Sequence, residues 1–221
     1  LRAAKVFHYH EGQARTPDNF ITHMTRLLAI NGSYRENGAI DQAVSAAAQA
    51  ATAAGATVEI IALREVPIEF CLNCRHCTQQ PGDAPGECVH EDRMRELVEK
   101  IEAADGYILA SPTNFYAVTA IFKRFMERLV VYAWWPWGAH APKFRKRAHD
   151  KKAILIASSA APGPMGRLFY TTLKQLRQTA RTIGAKPAGS VFIGSMSQQE
   201  HPVLPDRARR QVQDLVGKLL H

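Results

Sequence analysis

The residues best equipped for chemistry are four cysteines, Cys71, Cys74, Cys77 and Cys88, spaced C-x2-C-x2-C-x10-C in an irregular segment. An iron–sulfur cluster needs four thiolates around one small body, and closely spaced cysteines in a loop supply them. Zinc takes the same ligands, and free thiols in an ordinary loop are a third reading. Disulfides are not expected. Residues 1–23 lack the apolar centre of a signal peptide, so the expected compartment is the cytoplasm, where thiols stay reduced.

A second chemical stretch runs from Leu27 to Gly38. Leu27–Ile30 is a short apolar run of the kind a buried parallel strand shows, and it breaks at Asn31-Gly32-Ser33 ahead of an alanine-rich helical pattern. Such a break leaves backbone N–H groups free at a helix N-terminus, where a phosphate is favoured. Ser33 adds a hydroxyl, Asn37 an amide and Arg35 a positive charge. Taken alone, the stretch is either a phosphate cradle or an ordinary strand-to-helix turn.

The elements that must position these residues alternate. A helix is expected over Ala39–Ala54, stopped by Gly55, and a β-branched strand over Thr57–Leu63. After the cysteine segment come a helix from Glu91 to Ala103 and a strand from Tyr107 to Ala110, with a loop beginning at Ser111-Pro112 because proline is a poor member of a central strand. Val118, Ile121, Phe122, Phe125, Met126 and Leu129 recur at helical spacing, an apolar face for the core and in part for a subunit interface. A strand at Ala153–Ala157, a helix at Met165–Ile183, a strand at Gly189–Ile193 and a helix at Asp206–Leu220 complete the chain. The alternation predicts an α/β fold with a five-stranded parallel sheet and helices on both faces.

The 221 residues fit one domain, read as residues 24–221 behind a poorly structured extension 1–23 that lies upstream of a natural start at Met24. No apolar run approaches membrane-spanning length. The net charge of +8 and the pI near 9.5 are concentrated in Lys143, Arg145, Lys146, Arg147, Lys151 and Lys152 and in Arg207, Arg209 and Arg210. Such runs read first as solvated faces. No aromatic interleaving or nucleic-acid motif accompanies them, so nucleic acid is not an expected partner.

Three segments in order carry a family resemblance: Asn31-Gly32-Ser33-Tyr34-Arg35-Glu36-Asn37-Gly38, then Gly86-Glu87-Cys88-Val89-His90-Glu91-Asp92-Arg93-Met94, then Ser111-Pro112-Thr113-Asn114-Phe115-Tyr116-Ala117-Val118-Thr119. From about Thr25 onward the chain resembles the flavodoxin-like NADPH-dependent FMN reductases and multimeric flavodoxin-type oxidoreductases. The resemblance implies a three-layer sandwich with strand order 2-1-3-4-5. It also implies FMN as cofactor, with Ser33, Arg35, Asn37 and the N–H groups through Gly38, Ala39 and Ile40 on its phosphate. Pro112, Thr113, Asn114, Phe115 and Tyr116 then line the flavin ring, with Ser158, Ser159 and Gly163 as a third contact. Gly38-Ala39 stands where the family often has a hydroxyl-bearing pair, so one hydroxyl is missing here. The cysteine loop resembles that of iron–sulfur flavoproteins, although its last spacing is longer, which implies a [4Fe-4S] cluster on the four cysteines.

With FMN carrying the chemistry, no catalytic side chain is expected. NAD(P)H is the expected co-substrate, with the basic loop 143–152 reaching its extra phosphate. A flavin, a quinone or a similar small molecule is the expected acceptor. A protein-serving electron carrier is the alternative, and a binding module without catalysis is the third class. A homodimer or homotetramer is expected.

Overall fold

The computed structural model describes residues 24–198 and 200–221. The expected extension 1–23 lies outside the described residues. Strand β1 (Arg26–Asn31) is flanked by β2 (Thr57–Ala62) and β3 (Gly106–Asn114), and β7 (Lys151–Ser158) and β8 (Ala185–Ile193) follow on the β3 side. All four neighbour pairings are parallel, in the order β2-β1-β3-β7-β8. This is the flavodoxin-like order expected from the sequence.

Alternation of side chains sorts the strands between two cores. Leu28, Ile30, Tyr107, Leu109 and Leu155 face α2 (Met94–Ala103), α3 (Ala120–Arg128) and α5 (Thr172–Thr182). Leu27, Ala29, Ile108, Ile154 and Ile156 face α1 (Ala39–Ala53) and α6 (Asp206–Leu220). The alanines of α1 do more than favour helix: Ala43, Ala47 and Ala51 are fully buried and let the helix lie close on the sheet.

Several expected boundaries move, each for a local reason. Strand β3 runs past Pro112 to Asn114. The Ala110 carbonyl accepts from Gly32 N–H at 2.8 Å, so Pro112, two residues on, faces the same side of β3, beyond the last β1 partner. Its missing donor costs the ladder nothing. Strand β8 starts at Ala185 and absorbs Pro187 at a bulge on the sheet edge, where the pairing steps from Ala153 with Pro187 to Ile154 with Gly189. Helix α2 starts at Met94, because the Asp92 carboxylate takes the Met94 N–H at 3.0 Å while held by Arg128.

The single helix expected over Met165–Ile183 is two, α4 (Gly163–Phe169) and α5. Between them the Thr171 N–H and hydroxyl both donate to the Tyr116 carbonyl, at 2.9 and 3.0 Å. The apolar helix after Thr119 is also shorter. It passes at Leu129 into a 3-10 turn and then a small hairpin, β5 (Ala133–Trp134) with β6 (Lys143–Phe144). Phe122, Phe125 and Leu129 are buried in the core of the chain itself, while Ile121 and Met126 of the same face are only half-buried. No helix among the described residues is long and apolar enough to cross a membrane.

Candidate functional site

At the carboxyl ends of β1, β3 and β7 the three loops singled out in the sequence meet around one cleft of about 360 Å³. This is the topological switch point, since the chain leaves β1 for β2 on one side and returns to β3 on the other. One wall is Ser33, Tyr34 and Arg35 with Gly38, Ala39 and Ile40. The second is Pro112, Thr113 and Asn114 with Thr119, and the third is Ser158, Ser159 and Ala160. None of the lining residues is acidic, and Arg35 brings a positive charge.

The loop after β1 is held by its own polar groups. The buried Ser33 hydroxyl donates to the Arg35 carbonyl at 3.0 Å and accepts the Arg35 N–H at 3.1 Å, while the Ser33 N–H donates to the Asn31 side chain. Asp41, outside the cleft lining, takes the Asn31 amide, the Asn37 N–H and Arg64 Nη1. Asn37 turns the chain at φ 55° and contributes this N–H rather than lining the cleft. Gly38 then begins α1 with no side chain capping it. The first-turn N–H groups are left open beside the cleft, which suits the phosphate of a bound cofactor. Gly32 allows the loop to lie on α3, since a Cβ there would fall 2.7 Å from the Phe122 ring.

Thr119 joins two of the walls. Its hydroxyl donates to the Gly32 carbonyl at 2.6 Å and accepts the Phe122 N–H, while its own N–H donates to Ser111 Oγ. In the sequence Thr119 stands only as the end of a motif; its position as the cap of α3 was the available signal. Tyr34, Met196 and Pro202 were missed as well, the last two because they reach the cleft from a distant loop.

Phe115 and Tyr116 do not line this cleft. They form the two-residue tip of a hairpin in which Thr113 pairs with Val118 and Asn114 with Ala117, the latter two forming β4 (Ala117–Val118). Both have positive φ, 48° and 69°. Two-residue hairpin turns demand this and favour Asn-Gly, so aromatic residues here carry strain of about 1 kcal/mol or more each. Phe115 is 92% exposed. Tyr116 stacks edge-on against Tyr170 at 5.4 Å. Gly163 also lies elsewhere, opening α4 beside a groove along β8.

The basic loop is at the wrong end. Residues 143–150 lead into the amino end of β7, whereas the cleft lies at the carboxyl ends. Arg145 is buried and donates to the carbonyls of Val131, Gly82, Cys77 and Gln80. Lys146 pairs with Glu102, and Lys143 lies over the Trp134 ring. The expected contact with a nicotinamide cofactor's phosphate therefore has no geometric support.

All four cysteines border a second, smaller cavity, together with His90, Arg128 and Trp135. The long spacing before Cys88 does not carry it away, because Gly86 N–H donates to Val131 O at 2.8 Å and folds the insertion back. A Cβ at Gly86 would lie 1.8 Å from the Cys77 carbonyl oxygen. Burial, and then repulsion from Cys88, Cys71 and Cys74, pushes the Cys77 thiol up to about 11. Thiols so placed are costly to ionise without a cation among them. Among the described residues no three His, Cys, Asp or Glu side chains form a site for a single metal ion. The donor set of four sulfurs around one cavity is the chemistry an iron–sulfur body requires.

The family model described as NADPH-dependent FMN reductase matches residues 25–199. The chain belongs to this family. Among curated proteins, this FMN reductase family member is 34% identical over 149 residues to an iron–sulfur flavoprotein of Archaeoglobus fulgidus, covering 67% of this chain and 62% of that protein. It is 32% identical over 103 residues to an iron–sulfur flavoprotein of Methanocaldococcus jannaschii, covering 47% of this chain and 51% of that protein. The chain thus spans between about half and three-fifths of the length of these relatives. Among solved structures, an FMN-dependent NADH-azoreductase from Bacillus anthracis in complex with FMN superposes with a TM-score of 0.63 at 14% identity, over 90% of this chain and 100% of that one. An NAD(P)H:quinone oxidoreductase from Methanothermobacter marburgensis gives a TM-score of 0.60 at 15% identity, over 90% and 100%. At these identities the structures bear on the fold, and the flavodoxin-like fold of this family member is the one they share.

Proposed function

We propose that this protein is an FMN-dependent oxidoreductase that takes hydride from NAD(P)H and passes electrons to a small acceptor such as a flavin or a quinone. The observation that carries the reading is the uncapped N-terminus of α1, opening on a cleft without carboxylates at the switch point of the sheet. The N–H groups of Gly38, Ala39 and Ile40 with the Arg35 guanidinium hold the phosphate, with Ser33 shaping the loop around it. Pro112, Thr113 and Asn114, facing Ser158, Ser159 and Ala160, offer backbone and side-chain polar groups to the edge of a flat ring. Phe115 and Tyr116, projecting from the hairpin beside this wall, give a flat co-substrate an apolar surface. When bound, FMN supplies the hydride and electron transfers. The deciding experiment is the visible spectrum of anaerobically purified protein before and after NADPH. Flavin bands that bleach within the turnover time support the enzyme, whereas failure to bind added FMN refutes it.

A second reading is an electron-transfer flavoprotein that also carries a [4Fe-4S] cluster on Cys71, Cys74, Cys77 and Cys88. The gathering of all four thiols at one cavity favours it, as do relatives named iron–sulfur flavoproteins. Broad absorption beneath the flavin bands, with four irons per chain, supports the cluster. Rapid reduction by a protein donor, with slow reduction by NADPH, supports the carrier. A homodimer or homotetramer belongs to the proposal, and light scattering tests it.

A further inference from the structure

Among the described residues, the largest of the fully buried side chains is a charged one. Arg128, at the last turn of α3, is 1% exposed and borders the cysteine cavity. Its Nη1 donates to the Glu69 carbonyl at 2.8 Å and to Asp92 Oδ2 at 2.6 Å. Its Nη2 donates to Asp92 Oδ1 at 3.1 Å and to Cys88 Sγ at 3.4 Å. One planar fork therefore ties together the residue two before the first cysteine, the last cysteine and the start of α2. Burying such a pair is weak as a stabilising device, since desolvation offsets most of the attraction. Its placement against a sulfur calls for a different account.

We propose that Arg128 is a positioning residue that draws Cys88 to the other three cysteines and sets the reduction potential of a four-iron cluster held there. The inference rests on the cluster reading above. Hydrogen bonds to the ligand sulfurs and the local charge are main determinants of such potentials. Reduction adds one electron to the cluster with no bond made or broken. A positive charge and an N–H···S bond beside the cluster stabilise the reduced state, and a neighbouring carboxylate does the reverse. Arg128 and Asp92 therefore act in opposite directions, although structurally they are one pair.

The test uses the full chain reconstituted with iron and sulfide, titrated with dithionite and followed by EPR, alongside iron content and circular dichroism. Arg128→Gln is expected to disfavour reduction about tenfold, 59 mV more negative for a one-electron couple. Asp92→Asn is expected to shift the potential the opposite way. Loss of fold alone would give no such opposed pair of shifts. Unchanged potentials, or shifts of the same sign, overturn the proposal and leave the cluster reading standing. A wild-type protein that takes up no cluster overturns both. If neither variant folds, pulsed EPR on wild-type protein labelled with 15N-arginine decides. A nitrogen coupling to the reduced cluster is expected, and its absence overturns the proposal.

Discussion

The cleft and the cysteine cavity are built by opposite means. The cleft is made by regular elements: three parallel strands stop side by side, and the groups they leave at their ends are main-chain N–H and carbonyl groups that the ladder no longer uses. The segment between β2 and α2 has only two short 3-10 turns, at Leu63–Glu65 and His76–Thr78. Side chains from elsewhere hold it. Arg128 takes the Glu69 carbonyl, and Arg145 takes those of Cys77, Gln80 and Gly82. Arg75 lies between the rings of Trp135 and Trp137, 3.8 and 4.3 Å from their centroids, and donates to the Trp135 carbonyl at 2.6 Å. Where no strand partner satisfies the backbone, guanidinium groups do so, Arg145 serving three of the segment's carbonyls at once and Arg128 one. A cleft of the first kind keeps its shape when a side chain changes and loses affinity by degrees, because most of its donors are backbone. A loop of the second kind depends on a few residues.

That contrast can be broken by substitution. The largest effect is expected from Gly86→Ala, whose Cβ would meet the Cys77 carbonyl oxygen at 1.8 Å. Backbone must move, so the variant should lose iron binding and several degrees of melting temperature while still taking up FMN. Loss of both cofactors together would show that the regions are not independent. Ser33→Ala combined with Arg35→Ala should weaken FMN at least tenfold, with little change in thermal stability and iron content. FMN affinity unchanged by titration would remove the phosphate assignment. Replacing Phe115-Tyr116 with Asn-Gly relieves two left-handed aromatic residues but gives up the Tyr116–Tyr170 ring contact, and should raise stability by a net of about 1 kcal/mol in urea unfolding. The same change should raise KM for the nicotinamide or the acceptor, and a KM left unmoved would reduce the tip to a packing feature. The smallest effect is expected from Lys143→Gln with Lys146→Gln. The loop sits at the amino end of β7, so KM for NADPH should stay within twofold, and a large rise would mean the cofactor crosses the molecule in a way the cleft does not suggest.

Legibility followed the same division. The strands, both helical layers and the loops that interrupt them could be read from apolar runs and their breaks, since these are local consequences of burial, whereas the strand order that brings the loops together came with the family resemblance. Pro112 misled because a proline is forbidden only where its missing N–H would face a partner, and parity against β1 is not a local property. Arg145 misled more deeply. In the sequence it stands among lysines and arginines that look solvated, and only the unsatisfied carbonyls of a loop sixty residues earlier explain why it is buried.

The sequence alone therefore determined the sheet, its helices and the break from β1 into α1, because periodicity, alanine content and a Gly-Ser turn act over a few residues. The tertiary structure decided which charges are ligands to the backbone and which are free. It also decided that Cys88 returns to its three neighbours across a ten-residue insertion. Both depend on partners far apart in the chain, and a buried charge finds its place by the polar groups that surround it rather than by its neighbours in sequence.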